Sequence, residues 1–318
     1  MINTKTRVDI CLATYNGGLW INDFLTSLNA QSYEHWRLIV SDDDSQDNTI
    51  ELIKQHFINM PKKLVIVNRK KIQGGVICNF QDALGASEAQ YIYLADQDDV
   101  WLPDKLSISL SLMKKIETDS QTPSIIYSDL EVVDEQLKII NTSWWDFISV
   151  NPNWTMSFNK ILSRNIVPGC SMMLNRSLLE MVLPFPKKVV MHDWWFLLVC
   201  LVFGKVGMCN DKLVRYRRHG GAHTYFKKEG IISVLLRQFK GKQLVREEYM
   251  QAVLQAQAFE DMFGEKIKAL DTGKAKLKIL HDYIDSSKSG WWKKRWLLIK
   301  NGIRQTTIFR TVKFYLWI

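Results

Sequence analysis

Residues 93–106 read YLADQDDVWLPDKL and carry three acids in four positions: Asp96, Asp98 and Asp99. Crowded carboxylates repel one another unless something offsets their charge. A metal ion or a set of donors supplies that offset, and so does water around an exposed loop. A second acidic run, SDDDSQDNT over 41–49, sets Asp42, Asp43 and Asp44 side by side. Oxygen-rich groups of this kind suit hard divalent cations.

The surrounding pattern says what must position these acids. VDICLATYN (8–16), WRLIVSDDDS (36–45), KLVIVNR (63–69) and YIYLAD (91–96) have strand character. Between them, WINDFLTSLNAQ (20–31), TIELIKQHF (49–57) and GVICNFQDALGAS (75–87) have helical spacing. Asp47 or Asn48 can cap the second of these helices. Pro103 suits the first turn of a helix over 103–116. This alternation predicts an α/β fold, a mostly parallel sheet with helices on both faces. Ligands of such sheets sit outside the carboxyl ends of the strands. The loops at Thr14-Tyr15-Asn16, Asp42-Asp43-Asp44 and Asp96-Gln97-Asp98-Asp99 are therefore expected to converge on one cleft. Beyond residue 120 the alternation weakens. Strands are expected at 124–134 and 213–221, a strand leading into a helix at 165–182, and a buried helix at 192–204.

Composition narrows the class. The chain has 318 residues, 47% hydrophobic and 24% charged, enough for a large domain with an extension. Five cysteines without a CxxC pair predict reduced thiols and no zinc site. No signal peptide is recognisable, and no uninterrupted apolar run reaches the length of a membrane span. The net charge is +9, and the segment 291–318 holds seven Lys/Arg, no Asp or Glu and four of the twelve Trp. Cations interleaved with Trp and Leu/Ile suit an anionic membrane surface, and no nucleic-acid recognition motif accompanies them.

Six segments occur in order: ATYNGG, SDDDSQDNT, GGVICNFQDAL, YLADQDDVWLPDKL, HDWW and YRRHG. Together they resemble the family-2 glycosyltransferases, in particular a branch of O-antigen and capsule rhamnosyl- and glucosyltransferases. The resemblance covers roughly residues 8–225. It implies a GT-A fold, a nucleotide-sugar donor, Mg²⁺ or Mn²⁺, and inversion at the anomeric carbon. By similarity to the family's DXD motif, Asp98 is the candidate metal ligand. Asp96 would meet the ribose or the metal shell, and Asp99 the sugar, unless it holds the loop. Asp42 matches the acid that accepts from N3–H of uracil or thymine, a proton cytosine lacks. Thr14, Tyr15 and Asn16 would line the base and ribose pocket, and Gly74 and Gly75, with basic neighbours Arg69, Lys70 and Lys71, would lie near the nucleotide.

An inverting transfer needs a base opposite the leaving diphosphate. Asp193 in HDWW occupies that position, although relatives more often carry Glu or another residue before it. The two following indoles are expected to raise its pKa, and the same position suits a helix cap. His219 resembles a histidine that completes the metal shell or reaches the diphosphate. Arg217 and Arg218 can pair with phosphate, and strand alternation turns only one of them to the cleft; Arg218 is the residue placed in the site. The segment 168–175 corresponds to a region shaping the sugar pocket. Trp144, Trp145 and Trp154 are left as core residues.

The expected organisation is a catalytic domain over 1–224 and a helical, basic extension over 225–318. The expected reaction moves a hexose or deoxyhexose from a dTDP- or UDP-sugar to a lipid-linked saccharide, with the enzyme cytoplasmic and peripheral at the inner face of the membrane. Two other classes remain open. A sugar nucleotidyltransferase would want an early Gly-rich phosphate loop with a basic residue, and ATYNGG has no lysine. A non-catalytic GT-A-like scaffold would not need the acids and base that are present. Oligomeric state is not legible in the sequence.

Overall fold

The computed structural model describes residues 6–68, 74–220 and 232–318, with side chains from 241 onward in the last segment. Strands and helices alternate as β1 (Val8–Thr14), α1 (Ile21–Asn29), β2 (Trp36–Asp42), α2 (Thr49–His56), β3 (Leu64–Ile66), α3 (Gly75–Gly85) and β4 (Tyr91–Asp96). There follow β5 (Val100–Trp101), α4 (Lys105–Ile116), β6 (Ser124–Val133), β7 (Ile139–Asn141), α5 (Trp144–Phe147) and α6 (Phe158–Ile161). The chain continues through β8 (Met172–Asn175), α7 (Arg176–Val182), α8 (His192–Phe203) and β9 (Lys205–Arg217). Four helices complete it: α9 (Ile232–Lys268), α10 (Gly273–Lys288), α11 (Trp291–Lys300) and α12 (Ile308–Trp317).

The expected elements appear with shifted ends. The third strand keeps three residues, and Arg69, Lys70 and Lys71 fall outside the described residues. Pro103 stands in the turn before α4, which begins at Lys105. The final strand starts at Lys205, earlier than its apolar run suggested.

Two compact units partition the chain. The first comprises 1–148, 167–185 and 199–219, and the second 149–166, 186–198 and 220–318. All nine strands of the sheet belong to the first unit, in the order β3-β2-β1-β4-β8-β6-β9-β5, with β7 beside β6. β1 pairs in parallel with β2 and β4, and β2 with β3. β8 is antiparallel to both β4 and β6, and β6 runs parallel to β9. Strands β1, β2 and β4 are long apolar runs because helices cover both faces. Ile10, Leu12, Leu38, Val40 and Tyr93 are fully buried, each Leu or Ile contributing roughly 1.5–3 kcal/mol.

The second unit is helical. Trp195 packs edge-on against Phe259, with ring centroids 5.6 Å apart. The Tyr249 and Ser286 hydroxyls lie 2.6 Å apart and join α9 to α10. Among the described residues, no helix is long and apolar enough to cross a membrane.

Candidate active site

The register of the first unit brings three polar strand ends to one edge. Thr14 stands opposite Asp42 on β2, and Ala13 opposite Asp96 on β4. The Thr14 hydroxyl donates to Asp42 Oδ1 at 2.7 Å. Ser45 donates to the same carboxylate through its hydroxyl, 2.6 Å, and its N–H, 2.8 Å. Asn16, at φ 47°, accepts the Gln46 N–H through Oδ1 at 2.8 Å. Tyr15 is 56% exposed, and its backbone exchanges two hydrogen bonds with the Gln97 side chain. Local donors thus hold the Asp42 carboxylate in place, and the nearby strand end carries an exposed aromatic side chain at Tyr15.

Asp47 accepts from the Thr49 N–H at 3.0 Å and thus supports the start of α2. Asp43 accepts the Gly74 and Gly75 N–H groups, at 3.1 and 3.0 Å, at the start of α3. Gly75 has φ +72°, a conformation natural to glycine. Sequence reasoning assigned Asp43 no task; only its meeting with a distant helix terminus discloses one.

The acids of 96–99 divide by burial. Asp98 keeps a 21% exposed side chain, and its Oδ2 lies 2.7 Å from His219 Nε2. Asp99 is fully buried. Its Oδ1 accepts from the Arg217 N–H at 3.1 Å, while its Oδ2 is buried with no hydrogen-bond partner among the described residues. Burial first, then neighbouring Asp98 and Asp96, hold the Asp99 pKa well above the usual carboxylate range. Lys105, also fully buried, donates to the Cys170 carbonyl and lies 4.3 and 4.0 Å from the Tyr93 and Trp101 ring centroids. Burial pulls its pKa down to about 7. Asp99 thus anchors the loop from beneath, and Lys105 packs in the same buried layer.

Arg217 and Arg218 part company at the end of β9. Arg217 is 2% exposed and donates to Asp98 O, Glu135 O and Asp23 Oδ2, at 2.8, 2.5 and 2.6 Å. Its guanidinium lies 4.5 Å from the Trp20 ring, which packs in turn on His219 at 5.4 Å. Arg218 donates its N–H to Val133 and sets its guanidinium 5.1 Å from the Phe147 ring. The arginine on the acidic loop is therefore Arg217, with its donors engaged by protein oxygens. Trp20, Asp23, Gln97, Lys105 and Cys170 join the surroundings of the site without a role expected for them; Gln97 and Lys105 lie within YLADQDDVWLPDKL, and Cys170 within 168–175.

Two donor sets present themselves for a cation. Asp96, Asp99 and Cys170 each place a ligand atom within 4.8 Å of the others. Burial keeps the Cys170 thiol protonated, and a neutral thiol ill suits a hard cation. Asp98 and His219 offer an oxygen and an imidazole nitrogen, donor types that suit Mg²⁺ or Mn²⁺. They stand as a pair: among the described residues, no group of three ligand atoms within 4.8 Å joins them to Asp96.

Asp193 belongs to the second unit, in the first turn of α8. It is 6% exposed, and its Oδ1 accepts from the Trp194 N–H at 2.6 Å. The Trp194 indole donates to the Ile161 carbonyl at 2.7 Å, fixing that turn. His192 is buried, which lowers its pKa to about 3.

The family model described as glycosyl transferase family 2 matches residues 9–183, more than half of the chain. The Escherichia coli UDP-Glc:alpha-D-GlcNAc-diphosphoundecaprenol beta-1,3-glucosyltransferase WfgD is 29% identical over 189 residues, covering 59% of this chain and 68% of that protein. The Shigella flexneri dTDP-rhamnosyl transferase RfbG is 30% identical over 105 residues, covering 32% of this chain and 36% of its own. The match to RfbG thus spans little more than a third of that relative's length. The crystal structure of S. aureus TarS 1–349 in complex with UDP-GlcNAc superposes with a TM-score of 0.54 at 14% identity, over 94% of this chain and 93% of that one. At that identity the likeness concerns the fold, a GT-A sheet flanked by helices.

Proposed function

The chain belongs to glycosyl transferase family 2, and from that premise we propose an inverting, metal-dependent transfer of a hexose or deoxyhexose from a UDP- or dTDP-sugar. The acceptor is a lipid-linked saccharide of surface polysaccharide synthesis. The observation that carries the proposal is the edge where Thr14, Asp42 and Asp96 end adjacent strands, with the Asp98–His219 pair beside them. Asp42 accepts from the N3–H of uracil or thymine, and Tyr15 offers its exposed ring to the base. Thr14 and Asn16 orient that pocket. Asp98, His219 and Asp96 hold Mg²⁺ or Mn²⁺, which when bound neutralises charge on the departing diphosphate. The acceptor hydroxyl attacks the anomeric carbon as the carbon–phosphate-oxygen bond breaks, and Asp193 takes the hydroxyl proton. Arg218 pairs with the nucleotide phosphates, while Arg217 and Asp99 hold the loop. Catalysis is assigned to 1–224, and 225–318 to a helical extension that keeps the enzyme peripheral at the membrane.

The donor reading follows WfgD and RfbG, whose names specify UDP-Glc and dTDP-rhamnose, and the acceptor reading follows WfgD, whose name specifies a diphosphoundecaprenol. Calorimetry with UDP, dTDP, GDP and CDP, each with and without Mn²⁺, tests the site. Metal-dependent binding of UDP or dTDP, lost in Asp98→Ala, is the expected result. Binding indifferent to metal and to Asp98 would overturn it and leave the scaffold reading in front.

A further inference from the structure

The two C-terminal helices turn apolar stripes away from the second unit. On α11, Trp292, Trp296 and Ile299 recur at i, i+4 and i+7 and are 81%, 59% and 59% exposed. On α12, Ile308, Val312 and Leu316 recur at i, i+4 and i+8, with Phe309 beside them; Ile308 is 86% exposed and Phe309 68%. Helices of water-soluble proteins turn such stripes inward. Here the inward positions are already filled: Leu297, Leu298 and Phe314 are buried, and Phe314 meets Tyr249 of α9 edge-on at 5.8 Å. The outward stripes are thus a second apolar face.

Polar contacts hold both helices in this orientation. The buried Arg295 of α11 donates to its own Trp291 carbonyl at 2.9 Å and to the Ile318 carbonyl, just beyond α12, at 3.1 Å. Arg246 of α9 donates to the Trp317 carbonyl at 2.8 Å. Cations flank the stripes. Lys313 lies 4.4 Å from Phe309, whereas Lys300, 4.0 Å from the Trp296 ring, is already paired with Asp282 at 3.0 Å. Lys293 and Lys294 follow Trp292, and no acid occurs from 286 to 318. Arg164, Arg310 and Lys313, with Glu248, also line a cavity of about 200 Å³ floored by Tyr249, Phe314 and Trp317.

We infer that α11 and α12 together form a docking face for the surface of an anionic phospholipid bilayer. Trp292, Trp296, Ile308 and Phe309 enter the headgroup–acyl boundary while the flanking lysines meet lipid phosphates. Exposed indoles with a basic border fit that interface, where an aromatic body is apolar and the adjoining charge stays hydrated. Electrostatic complementarity selects the lipid over a second copy of this chain, whose matching face would bring like charges together. The inference deepens the lipid-linked acceptor reading and rests on it for its biological sense, yet its test is independent.

The test is flotation of the full chain with vesicles of phosphatidylcholine, with and without phosphatidylglycerol. Three proteins are compared: wild type, Trp292→Ser/Phe309→Ser, and Lys293→Ser/Lys313→Ser. Wild type is expected to float with anionic vesicles and to shift its tryptophan emission to the blue. The apolar pair should lower partitioning about tenfold or more, and the lysine pair about fivefold per cation removed. Circular dichroism and nucleotide calorimetry on each variant establish that the fold and donor site survive. Equal flotation of all three proteins, or none by wild type, would overturn the inference. So would a wild-type dimer that the apolar pair converts to monomer. Loss of flotation with intact nucleotide binding separates this face from the donor site, and absence of nucleotide binding in wild type bears on the proposed function alone.

Discussion

The acidic edge of the sheet and the C-terminal helix pair reverse the usual rule in opposite ways. At the edge, polar groups are buried: Asp99 and Arg217 lie out of water, and Arg217 reaches three oxygens. On α11 and α12, large apolar groups face water. Each departure forgoes stability, since buried charge loses hydration and exposed indole loses burial. A second buried acid calibrates the contrast. Asp9, equally buried at the start of β1, sits at the strand end away from the site and accepts from Ser87, Glu88, Ala89 and Arg37. Its pKa is lowered despite burial, because Arg37 and the two amides favour the carboxylate. Burial alone therefore does not mark function. Asp98 differs by keeping solvent access beside the His219 imidazole.

Four measurements probe this contrast. Asp98→Ala should lower kcat/KM by roughly 10³-fold, about 4 kcal/mol of transition-state stabilisation, and remove the response to Mn²⁺ titration. Retained metal dependence would remove Asp98 from the cation site. Arg217→Met should cost about 2–3 kcal/mol in urea unfolding, since the Asp98 and Glu135 carbonyls lose a buried donor while the half-exposed Asp23 rehydrates. It should also weaken metal-dependent nucleotide binding about tenfold, because the loop carrying Asp98 loses its tether.

The third prediction concerns pH. His192 has a folded-state pKa lowered from 6.5 to about 3 by burial. Between those values the unfolded chain binds the extra proton, so stability falls as pH drops from about 6.5 toward 3. The loss near pH 5 is about 2 kcal/mol. Urea midpoints for His192→Phe should show a shallower decline than wild type; parallel curves would remove the effect. The smallest change is expected from Trp292→Ser, within about 0.5 kcal/mol of wild type in the same assay. A loss several times larger would mean that the α11 stripe supports the fold.

The sequence alone determined the alternation of β1 through β4 with their helices, because periods of 2 and 3.6 are written locally in residue order. It also determined that acids end β2 and β4 and that the last segment is cationic and rich in Trp. The ordered motifs then carried the family. Tertiary structure decided what depends on partners far along the chain. Whether Arg217 or Arg218 meets the acidic loop follows from the pairing of β9 with β5, where Val100 stands opposite Arg215. A shift of one residue would exchange their faces. Asp43 was committed to the α3 terminus, and Asp99 to the interior, by segments thirty or more residues away. The outward turn of Trp292 and Ile308 was likewise settled by Leu297, Leu298 and Phe314 taking the inner face. Periodicity reports that a helix is amphipathic, and only packing decides which apolar residues meet protein and which are left to meet something else.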